Sequence, residues 1–421
     1  MKLKLIVPVA VKQKRWTKYF AIPPLNLLYV AALTPKDVEI TLIDEHIDRI
    51  DFEEAVDLVG ITSLTATAPR AYEIGDEFKK RGVKVVLGGI HPSTLPEEAI
   101  QHADSIVIGE AENLWPEVIE DFKKKRLKKF YQSSQKPSLE NLLLPRRDLL
   151  QGKRYLTKNF IQTTRGCPFD CDFCSVTKFF GRRHRFRPVE DVVKEIESLE
   201  GNFTIFADDN VVAHKKYAKE LFKALIPCKK RWFSQADLSM AQDEELLKLA
   251  AQSGCEGVYI GFESLSDIGL KKFKKYIDFK DAINRLKKHG IRVEGSFIFG
   301  FDSDDKRVFE KTLRFAQELR LDVATFHLLT PLPGTQLYEK LERENRIVVR
   351  DWSKYNLSTV VFQPKQMTRE ELQEGVRWTM KKFYSLFSMT KRLFPPPFKT
   401  LPHIIAYNLS RKAHFLKSLK K

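Results

Sequence analysis

Short apolar runs alternate with amphipathic helical runs along most of this sequence, and this alternation constrains the fold more than any other feature. Residues 1–124 contain five β-rich runs separated by helical stretches, and the alternation resumes at residue 159. A strand that is followed by a helix and a second strand folds as a βαβ unit with parallel strands. A chain of 421 residues has room for two or three domains. The sequence therefore predicts an α/β protein with more than one domain.

The two alternating segments indicate different architectures. Five strands in residues 1–125 predict a flavodoxin-like (Rossmann-like) domain. Residues 126–158 are basic, contain Ser and Pro and lack periodicity, which is typical of a linker. The six βα units in residues 159–345 are too few for a complete eight-unit barrel, so they predict a partial, open (β/α)6 barrel. Residues 346–421 are expected to form a small helical, basic C-terminal extension.

The extension carries a recognisable helix start. Thr368 and Glu371 have the spacing of a capping box, in which each side chain bonds the backbone amide of the other residue. An apolar stripe follows at helical spacing. Its members are Leu372, Val376, Phe383 and Phe387.

Composition excludes several classes of protein. A hydrophobic share of 43% and a charged share of 30% exclude a disordered or collagen-like chain. No apolar run approaches the roughly 18 residues of a membrane span. The N-terminal apolar run lacks the cleavage site of a signal peptide, and the five cysteines do not form a disulfide framework. We therefore expect a cytoplasmic protein.

The net charge of +17 is concentrated near the C-terminus. Residues 375–421 contain eleven Lys and Arg residues, eight aromatic residues and no Asp or Glu. Such a segment can be a solvated tail or a helix packed on the barrel. It also suits peripheral contact with an anionic membrane surface, which would fit a lipid-like substrate. Nucleic acid is a less favoured partner, because the rest of the chain has a small net charge.

Three of the five cysteines crowd into one loop after the first strand of the predicted barrel. Cys167, Cys171 and Cys174 have the spacing C-x3-C-x2-C. Cysteine thiolates hold iron–sulfur clusters, usually through four ligands. Three thiolates on one loop would leave one iron of a four-iron cluster open, as a catalytic site requires. Zinc with a distant fourth ligand, such as His184, is the alternative.

Together with Gly166 and Phe173, these cysteines resemble the motif of the radical S-adenosylmethionine (SAM) superfamily, which is C-x3-C-x-aromatic-C. The resemblance covers roughly residues 159–345. It implies a [4Fe-4S] cluster that cleaves SAM reductively to a 5′-deoxyadenosyl radical. It also implies a reductant such as flavodoxin or ferredoxin.

The same resemblance implies a set of SAM contacts at the carboxyl ends of the barrel strands. The residues at matching positions are Phe173, Asp208, Asp209, Gln235, Glu263 and Ser296. Asp208 has an alternative as a helix N-cap, and Gln235 could satisfy a buried backbone group. His327 on the sixth strand could face the substrate cavity, although a lone strand histidine is more often a core residue.

The loops of the first domain resemble the cobalamin-binding domain of one radical SAM class. The matching residues are Thr62, Ser63, Leu64, Gly88, Gly89, His91, Gly109 and Glu110. The D-x-H-x-x-G element, whose histidine ligates cobalt in the wider cobalamin family, is absent, and His46 is a poor substitute. The resemblance therefore implies cobalamin without a lower histidine ligand. A Rossmann-like domain that has lost its ligand is the alternative.

The resemblance implies a cobalamin-dependent C-methyltransferase that acts on a small-molecule or lipid-like substrate. Methyl would pass through methylcobalamin to an unactivated carbon. A cobalamin-linked rearrangement, cyclisation or oxidation without methyl transfer is the second hypothesis. A non-catalytic cobalamin or metal sensor is the third.

Overall fold

The computed structural model describes residues 1–10, 21–265, 278–393 and 405–412. The strands found there are β1 (Lys2–Val7), β2 (Glu39–Asp44), β3 (Leu58–Thr62), β4 (Lys84–Gly88), β5 (Ser105–Ile108), β6 (Phe130–Gln132), β7 (Phe160–Ile161), β8 (Thr164–Arg165), β9 (Arg185–Phe186), β10 (Phe203–Phe206), β11 (Arg231–Ala236), β12 (Cys255–Glu263), β13 (Arg292–Phe299) and β14 (Val323–Leu328).

The α-helices in the same residues are α1 (Leu25–Leu33), α2 (Ala68–Lys80), α3 (Ile90–Thr94), α4 (Pro96–Ala99), α5 (Trp115–Lys123), α6 (Ser175–Phe180), α7 (Val189–Ser198), α8 (Lys215–Leu225), α9 (Glu244–Gln252), α10 (Phe279–Lys288), α11 (Val308–Glu318), α12 (Gln336–Arg343), α13 (Arg369–Phe383) and α14 (Leu386–Leu393). Residues 405–412 are also helical.

The chain divides into two compact units. Unit 1 consists of Met1–Ala207, Pro331–Arg343 and Arg350–Asn356. Unit 2 consists of Asp208–Thr330, Glu344–Val349 and Leu357–Lys421. This grouping follows spatial contacts, whereas the four segments predicted from the sequence follow changes of composition. The predicted boundaries at residues 125, 158 and 345 remain a proposal.

Unit 1 contains a parallel sheet in the order β2-β1-β3-β4-β5-β6. The first five strands have the order of the flavodoxin-like fold, which confirms the predicted architecture. The sixth strand lies in the segment that we expected to be a linker. Tyr131 of β6 and Leu150 are buried in the core beside this sheet, so their apolar side chains hold the segment against it.

Side-chain alternation along β1 explains how one strand serves two cores. Leu3 and Leu5 lie in a cluster with Trp115 of α5, whereas Ile6 lies in a cluster with Phe78 of α2. Successive strand residues point to opposite faces, so an unbroken apolar run is buried on both sides. The sheet is therefore covered on both faces, and its ligand-binding loops must lie at the strand ends.

Unit 1 also holds the first part of the predicted barrel. β7 pairs in parallel with β10, and β8 pairs antiparallel with β9. The cysteine loop is the connection between β8 and β9. This short pair therefore forms the base of the loop.

The described residues of unit 2 contain four strands, β11 to β14, each paired in parallel with the next. Phe262, Phe297 and Phe326 stack on one face of these strands, with ring centroids 5.2 and 5.6 Å apart. Together with β7 and β10, these strands account for the six predicted βα units. The α/β fold class, with a flavodoxin-like domain before a partial barrel, is confirmed.

The C-terminal part of unit 2 is helical, as predicted. The capping box is confirmed, because the Glu371 amide donates to Thr368 Oγ1 and the Thr368 amide donates to Glu371 Oε2. The prediction that Phe387 continues the apolar stripe of this helix is wrong. α13 ends at Phe383, the chain turns, and Phe387 is the second residue of α14, with 78% of its surface exposed.

Part of the basic tail, residues 394–404 and 413–421, lies outside the described residues. No helix among the residues that the structure describes is long and apolar enough to span a membrane.

Candidate active site

The cysteine loop rises from the β8–β9 pair and leads into α6. Cys167, Cys171 and Cys174 are all half-buried, and the Cys174 amide donates to the Cys171 carbonyl over 3.1 Å. Phe173, predicted to contact SAM, is half-buried on the same loop. The loop therefore carries three sulfur donors and an aromatic ring within eight residues.

The type of donor decides which group this loop suits. Three thiols on one loop match the ligands of an iron–sulfur cluster, since soft sulfur ligands select iron–sulfur clusters or zinc. In the described part of the chain, no three His, Cys, Asp or Glu side chains already form a group that could hold a metal ion. The loop therefore fits an iron–sulfur cluster by the chemistry of its sulfur donors.

The carboxyl ends of β3 and β4 meet in unit 1 and bring together five of the predicted cobalamin contacts. The Ser63 amide donates to the Gly88 carbonyl over 3.0 Å, and the Thr62 hydroxyl accepts a hydrogen bond from Asn26. Gly89 has φ +97°, and a Cβ there would lie 2.7–2.9 Å from backbone and side-chain atoms of Thr62 and Ser63. Only glycine permits this close approach of the two loops. We name Thr62, Ser63, Leu64, Gly88 and Gly89 the unit 1 edge.

Two features of the unit 1 edge suit a bound ligand. The Ser63 Oγ is buried and has no hydrogen-bond partner among the described residues. Leu64 is 58% exposed, although leucine is normally buried. An unsatisfied buried hydroxyl is costly, and a ligand that bonds to it removes that cost. The unit 1 edge therefore fits a group with polar atoms and apolar surface, such as cobalamin.

The other predicted cobalamin contacts lie near this edge but have protein partners. His91 is fully buried, and its ring nitrogens lie 3.4 Å from Thr65 Oγ1 and 3.2 Å from Glu98 Oε1. The Gly109 amide donates to Ser93 Oγ over 2.9 Å. The Glu110 carboxylate is buried against two arginines.

His46 is the weak candidate for a cobalt ligand. Its Nδ1 lies 2.7 Å from Asp44 Oδ1 at the end of β2. This contact anchors the ring to the end of its own strand. The loop after β1, where the missing cobalt-binding element would stand, lies largely outside the described residues.

Unit 2 begins with the acidic pair that was predicted to bind SAM. Asp208 is fully buried, whereas Asp209 is half-buried. Burial and, second, the neighbouring charge of Asp208 raise the pKa of Asp209 to about 7. A cationic ammonium group would favour the ionised form of this carboxyl. The pair therefore suits the amino group of SAM.

Glu263, another predicted SAM contact, ends β12 in a strained conformation. Its φ is +60°, which is uncommon for a residue with a side chain. The pairing of β12 with β13 shifts register between Gly261 and Glu263. Strained residues often lie at functional sites, because the surrounding structure must hold them in place.

Gln235 and Ser296 lie on one face of the unit 2 strands. Gln235 pairs with Tyr259, Tyr259 with Glu294, and Ser296 with Thr325. Because alternate residues share a face, all of these side chains lie opposite the stacked phenylalanines. The Gln235 side chain is exposed, whereas Ser296 is buried. We name this face, which also carries His327, the polar face.

The sequence reasoning singled out His327 but missed its partner Tyr259. The Tyr259 hydroxyl lies 3.3 Å from His327 Nε2 and 2.9 Å from Thr325 Oγ1. Burial and, second, the charge of Arg411 lower the pKa of His327 to about 4, so the ring is neutral at pH 7. Polar residues at alternate positions of adjacent strands could have revealed this cluster.

Comparison with known protein families matches both parts of the chain. The family model of the radical SAM superfamily matches residues 161–316, and that of the B12 binding domain matches residues 17–119. The chain is 34% identical over 391 residues to the bacteriochlorophyllide d C-12(1)-methyltransferase of Chlorobaculum tepidum, covering 89% of this chain and 85% of that protein. It is 32% identical to the C-8(2)-methyltransferase of the same organism, over 79% of each chain.

A second kind of relative is the anaerobic magnesium-protoporphyrin IX monomethyl ester cyclase of Cereibacter sphaeroides. It is 28% identical, over 94% of this chain and 72% of the cyclase.

Solved structures share the fold. The radical SAM methyltransferase TsrM from Kitasatospora setae, with cobalamin and a [4Fe-4S] cluster bound, has a TM-score of 0.65 at 20% identity, over 82% of this chain and 78% of that one. The cobalamin-dependent radical SAM enzyme OxsB has a TM-score of 0.69 at 15% identity, over 100% of this chain and 72% of that one.

Ser63→Ala should raise the stability of the cobalamin-free protein and lower its affinity for cobalamin. Removing a buried hydroxyl without a partner should stabilise the empty protein by about 1 kcal/mol, and losing its bond to the ligand should weaken binding about fivefold. Thermal unfolding and titration with hydroxocobalamin measure the two effects. Ser105→Ala is the matched control. Its Oγ is also buried and unsatisfied among the described residues, but it lies at the opposite end of the sheet. Unchanged affinity in Ser63→Ala would exclude the predicted contact.

Asp209→Asn should change how stability depends on pH. The pKa of Asp209 in the folded protein is about 7 and its ordinary value is 3.8, so this residue favours folding at low pH. That contribution is lost as the pH rises from about 4 to 7. Each pKa unit corresponds to about 1.4 kcal/mol, and the variant should therefore be more stable than the wild type by about 2–4 kcal/mol at pH 8. Unfolding at pH 5 and pH 8 measures the difference, with Asp281→Asn on the exposed surface of α10 as the control. Parallel pH profiles for the wild type and Asp209→Asn would contradict the expectation.

Proposed function

The chain belongs to the cobalamin-dependent methyltransferase class of the radical SAM superfamily, and we propose that it methylates a side-chain carbon of a chlorophyll-type tetrapyrrole. The identity of 34% to a bacteriochlorophyllide d methyltransferase, over 89% of this chain, carries the proposal. A second methyltransferase of the same pigment is 32% identical. The two relatives act at different positions of the ring system, so the class of substrate is proposed here and the position is left to experiment.

The enzyme uses a [4Fe-4S] cluster, SAM and cobalamin. When bound, the cluster supplies the electron that cleaves SAM, and cobalamin carries the methyl group. Cys167, Cys171 and Cys174 hold the cluster in this proposal, and the unit 1 edge holds cobalamin. A small electron carrier, such as flavodoxin or ferredoxin, delivers the electron.

The chain's own residues then bind and orient SAM. The Asp208–Asp209 pair accepts hydrogen bonds from the SAM amino group, which favours the ionised form of Asp209 at neutral pH. Glu263, held in its left-handed conformation at the end of β12, presents a second carboxylate. Gln235 and Ser296 offer neutral polar groups from the polar face.

A second candidate function is oxidation or cyclisation of a tetrapyrrole without methyl transfer. The identity of 28% to an anaerobic cyclase, over 94% of this chain, favours it. The two candidates share the cofactors and the substrate class. They differ in whether the product gains carbon.

Methyl-labelled SAM separates the two candidates. We expect the anaerobically reconstituted enzyme to place the label in a bacteriochlorophyllide d-type acceptor and to release 5′-deoxyadenosine. Cys171→Ala should abolish both products, because an iron–sulfur cluster requires its thiolates. Cys228→Ala, a half-buried cysteine outside the loop, is the matched control and should retain activity. Deoxyadenosine together with an oxidised, unlabelled product would favour the cyclase reading.

We also propose that α13 and α14 contact an anionic membrane surface, where an apolar pigment can be delivered. Trp378, Leu386 and Phe387 are exposed to 39%, 61% and 78%. Exposed basic residues lie beside them on the same two helices, and Lys382 and Lys391 follow Trp378 and Phe387 by four positions. The basic residues are Arg377, Lys381, Lys382 and Lys391. Aromatic and apolar side chains between lysines are typical of helices that lie in the membrane interface. We name these seven residues the basic aromatic surface.

Vesicle binding tests this surface. The double substitution Leu386→Ser and Phe387→Ser should weaken sedimentation with phosphatidylglycerol vesicles about tenfold or more, because two apolar side chains no longer leave water. Binding to neutral phosphatidylcholine vesicles should be weak for all variants. Leu143→Ser with Leu144→Ser removes two similarly exposed leucines elsewhere and serves as the control. Equal sedimentation of both double variants and the wild type would refute the proposal.

A further inference from the structure

Glu110 lies between the loops of the flavodoxin-like sheet and the cysteine loop, all within unit 1. It follows β5, and its side chain is 2% exposed. Its Oε2 accepts hydrogen bonds from Arg165 over 2.8 Å and from Arg185 over 3.1 Å. Its Oε1 accepts a second bond from Arg185 over 2.7 Å. One carboxylate therefore holds two guanidinium groups, and Arg185 is held by both of its oxygens.

The two arginines belong to the pair of strands from which the cysteine loop emerges. Arg165 ends β8, two residues before Cys167, and Arg185 begins β9 after the loop has returned. Arg165 and Arg185 are direct partners in the antiparallel register. Glu110 consequently binds both strands, the one that enters the cysteine loop and the one that leaves it, at a single pair of opposed residues.

Burial makes these ion pairs obligatory. The side chains of Arg165 and Arg185 are 6% and 12% exposed, and a buried cation without a counterion is strongly unfavourable. Glu112 also pairs with Arg165, over 2.6 Å. Among these two acidic residues, Glu110 is the one that reaches both arginines. Removing its charge would leave the Arg185 guanidinium bonded to the neutral carbonyls of Pro137 and Phe180, without the Glu110 counterion, and would weaken the hold on Arg165.

The Glu110 loop is also fastened to the unit 1 edge. Ser93 Oγ donates to the Gly89 carbonyl over 2.7 Å and accepts from the Gly109 amide over 2.9 Å. Gly109 is the residue before Glu110. A short series of hydrogen bonds thus fixes the position of Glu110 relative to the loop after β4.

We propose that Glu110 is a positioning residue for the iron–sulfur cluster. Its carboxylate joins the two ends of the cysteine loop and sets the separation of the strands from which the three thiols project. One cluster binds all three thiols only when the loop holds them within reach of it, and the paired strands at the base of the loop set that spacing. Residues behind the ligands orient metal sites in this way.

Glu110→Gln tests the proposal, because it keeps the shape of the side chain and removes its charge. Loss of a residue that supports metal ligands typically costs about 10- to 100-fold in metal affinity. We therefore expect iron release to a chelator to be about tenfold faster than in the wild type. The electron paramagnetic resonance spectrum of the reduced cluster should broaden, and its change on addition of SAM should be reduced. Hydroxocobalamin affinity should stay at the wild-type value.

Three further variants separate positioning from general destabilisation. Glu112→Gln removes one partner of Arg165 only, and should have a smaller effect. Glu117→Gln removes an ion pair with the exposed Lys128 and should have none. Arg185→Lys keeps the positive charge but loses the two-pronged contact, and should speed iron release even if Glu110→Gln does not fold. Thermal unfolding of the metal-free proteins monitors folding in each case.

Two outcomes would overturn the proposal. The first is iron release and spectra at the wild-type level in both Glu110→Gln and Arg185→Lys. The second is loss of cobalamin binding with an unchanged cluster in Glu110→Gln, which would assign Glu110 to the cobalamin contacts that the sequence predicts. None of these measurements contains a tetrapyrrole, so failure of the proposed substrate class would leave the result unaffected.

Discussion

The need to neutralise buried arginines organises unit 1. Arg165 and Arg187 are almost fully buried, and each lies on a segment that flanks the cysteine loop. Glu110 and Glu112 meet Arg165, and the fully buried Glu195 of α7 meets Arg187 as well as Arg147. A hydrophobic core could pack these strands with less electrostatic cost. Directional bonds between forked guanidinium and carboxylate groups add geometric specificity that apolar contacts lack.

Unit 2 is organised by the two different faces of its parallel strands, and not by buried ion pairs. Its four parallel strands present stacked phenylalanines on one side and the polar face on the other. The two faces follow from the twofold periodicity of a strand, so the same residues that build the core determine which side chains face away from it. The hydroxyl of Tyr259 joins neighbouring strands through Thr325 and His327, which keeps these polar groups satisfied.

Much of this architecture could be predicted from the sequence, because periodicity and motif spacing are local properties. The alternation of strands and helices indicated both parallel sheets, and the spacing of Cys167, Cys171 and Cys174 indicated the class of cofactor.

Contacts between distant segments could not be predicted. The short strand β6 escaped prediction because it has only three residues and lies in a basic segment without periodicity. Glu110 lies 55 positions before Arg165 and 75 before Arg185, so no local sequence pattern predicts their ion pairs. Phe387 has the helical spacing of the preceding stripe, but a turn after Phe383 separates it from that helix, and the spacing alone did not indicate the turn.

The unsatisfied hydroxyl of Ser63 has a consequence for the amount of enzyme in a cell. A protein that carries an uncompensated polar atom at its ligand edge is less stable without the ligand than with it. Binding of the ligand to the folded chain alone adds stability that grows with the logarithm of ligand concentration. Proteases remove unfolded chains continuously, so small differences in stability change abundance. The supply of cobalamin would then set how many copies of this enzyme persist, as well as how many are active.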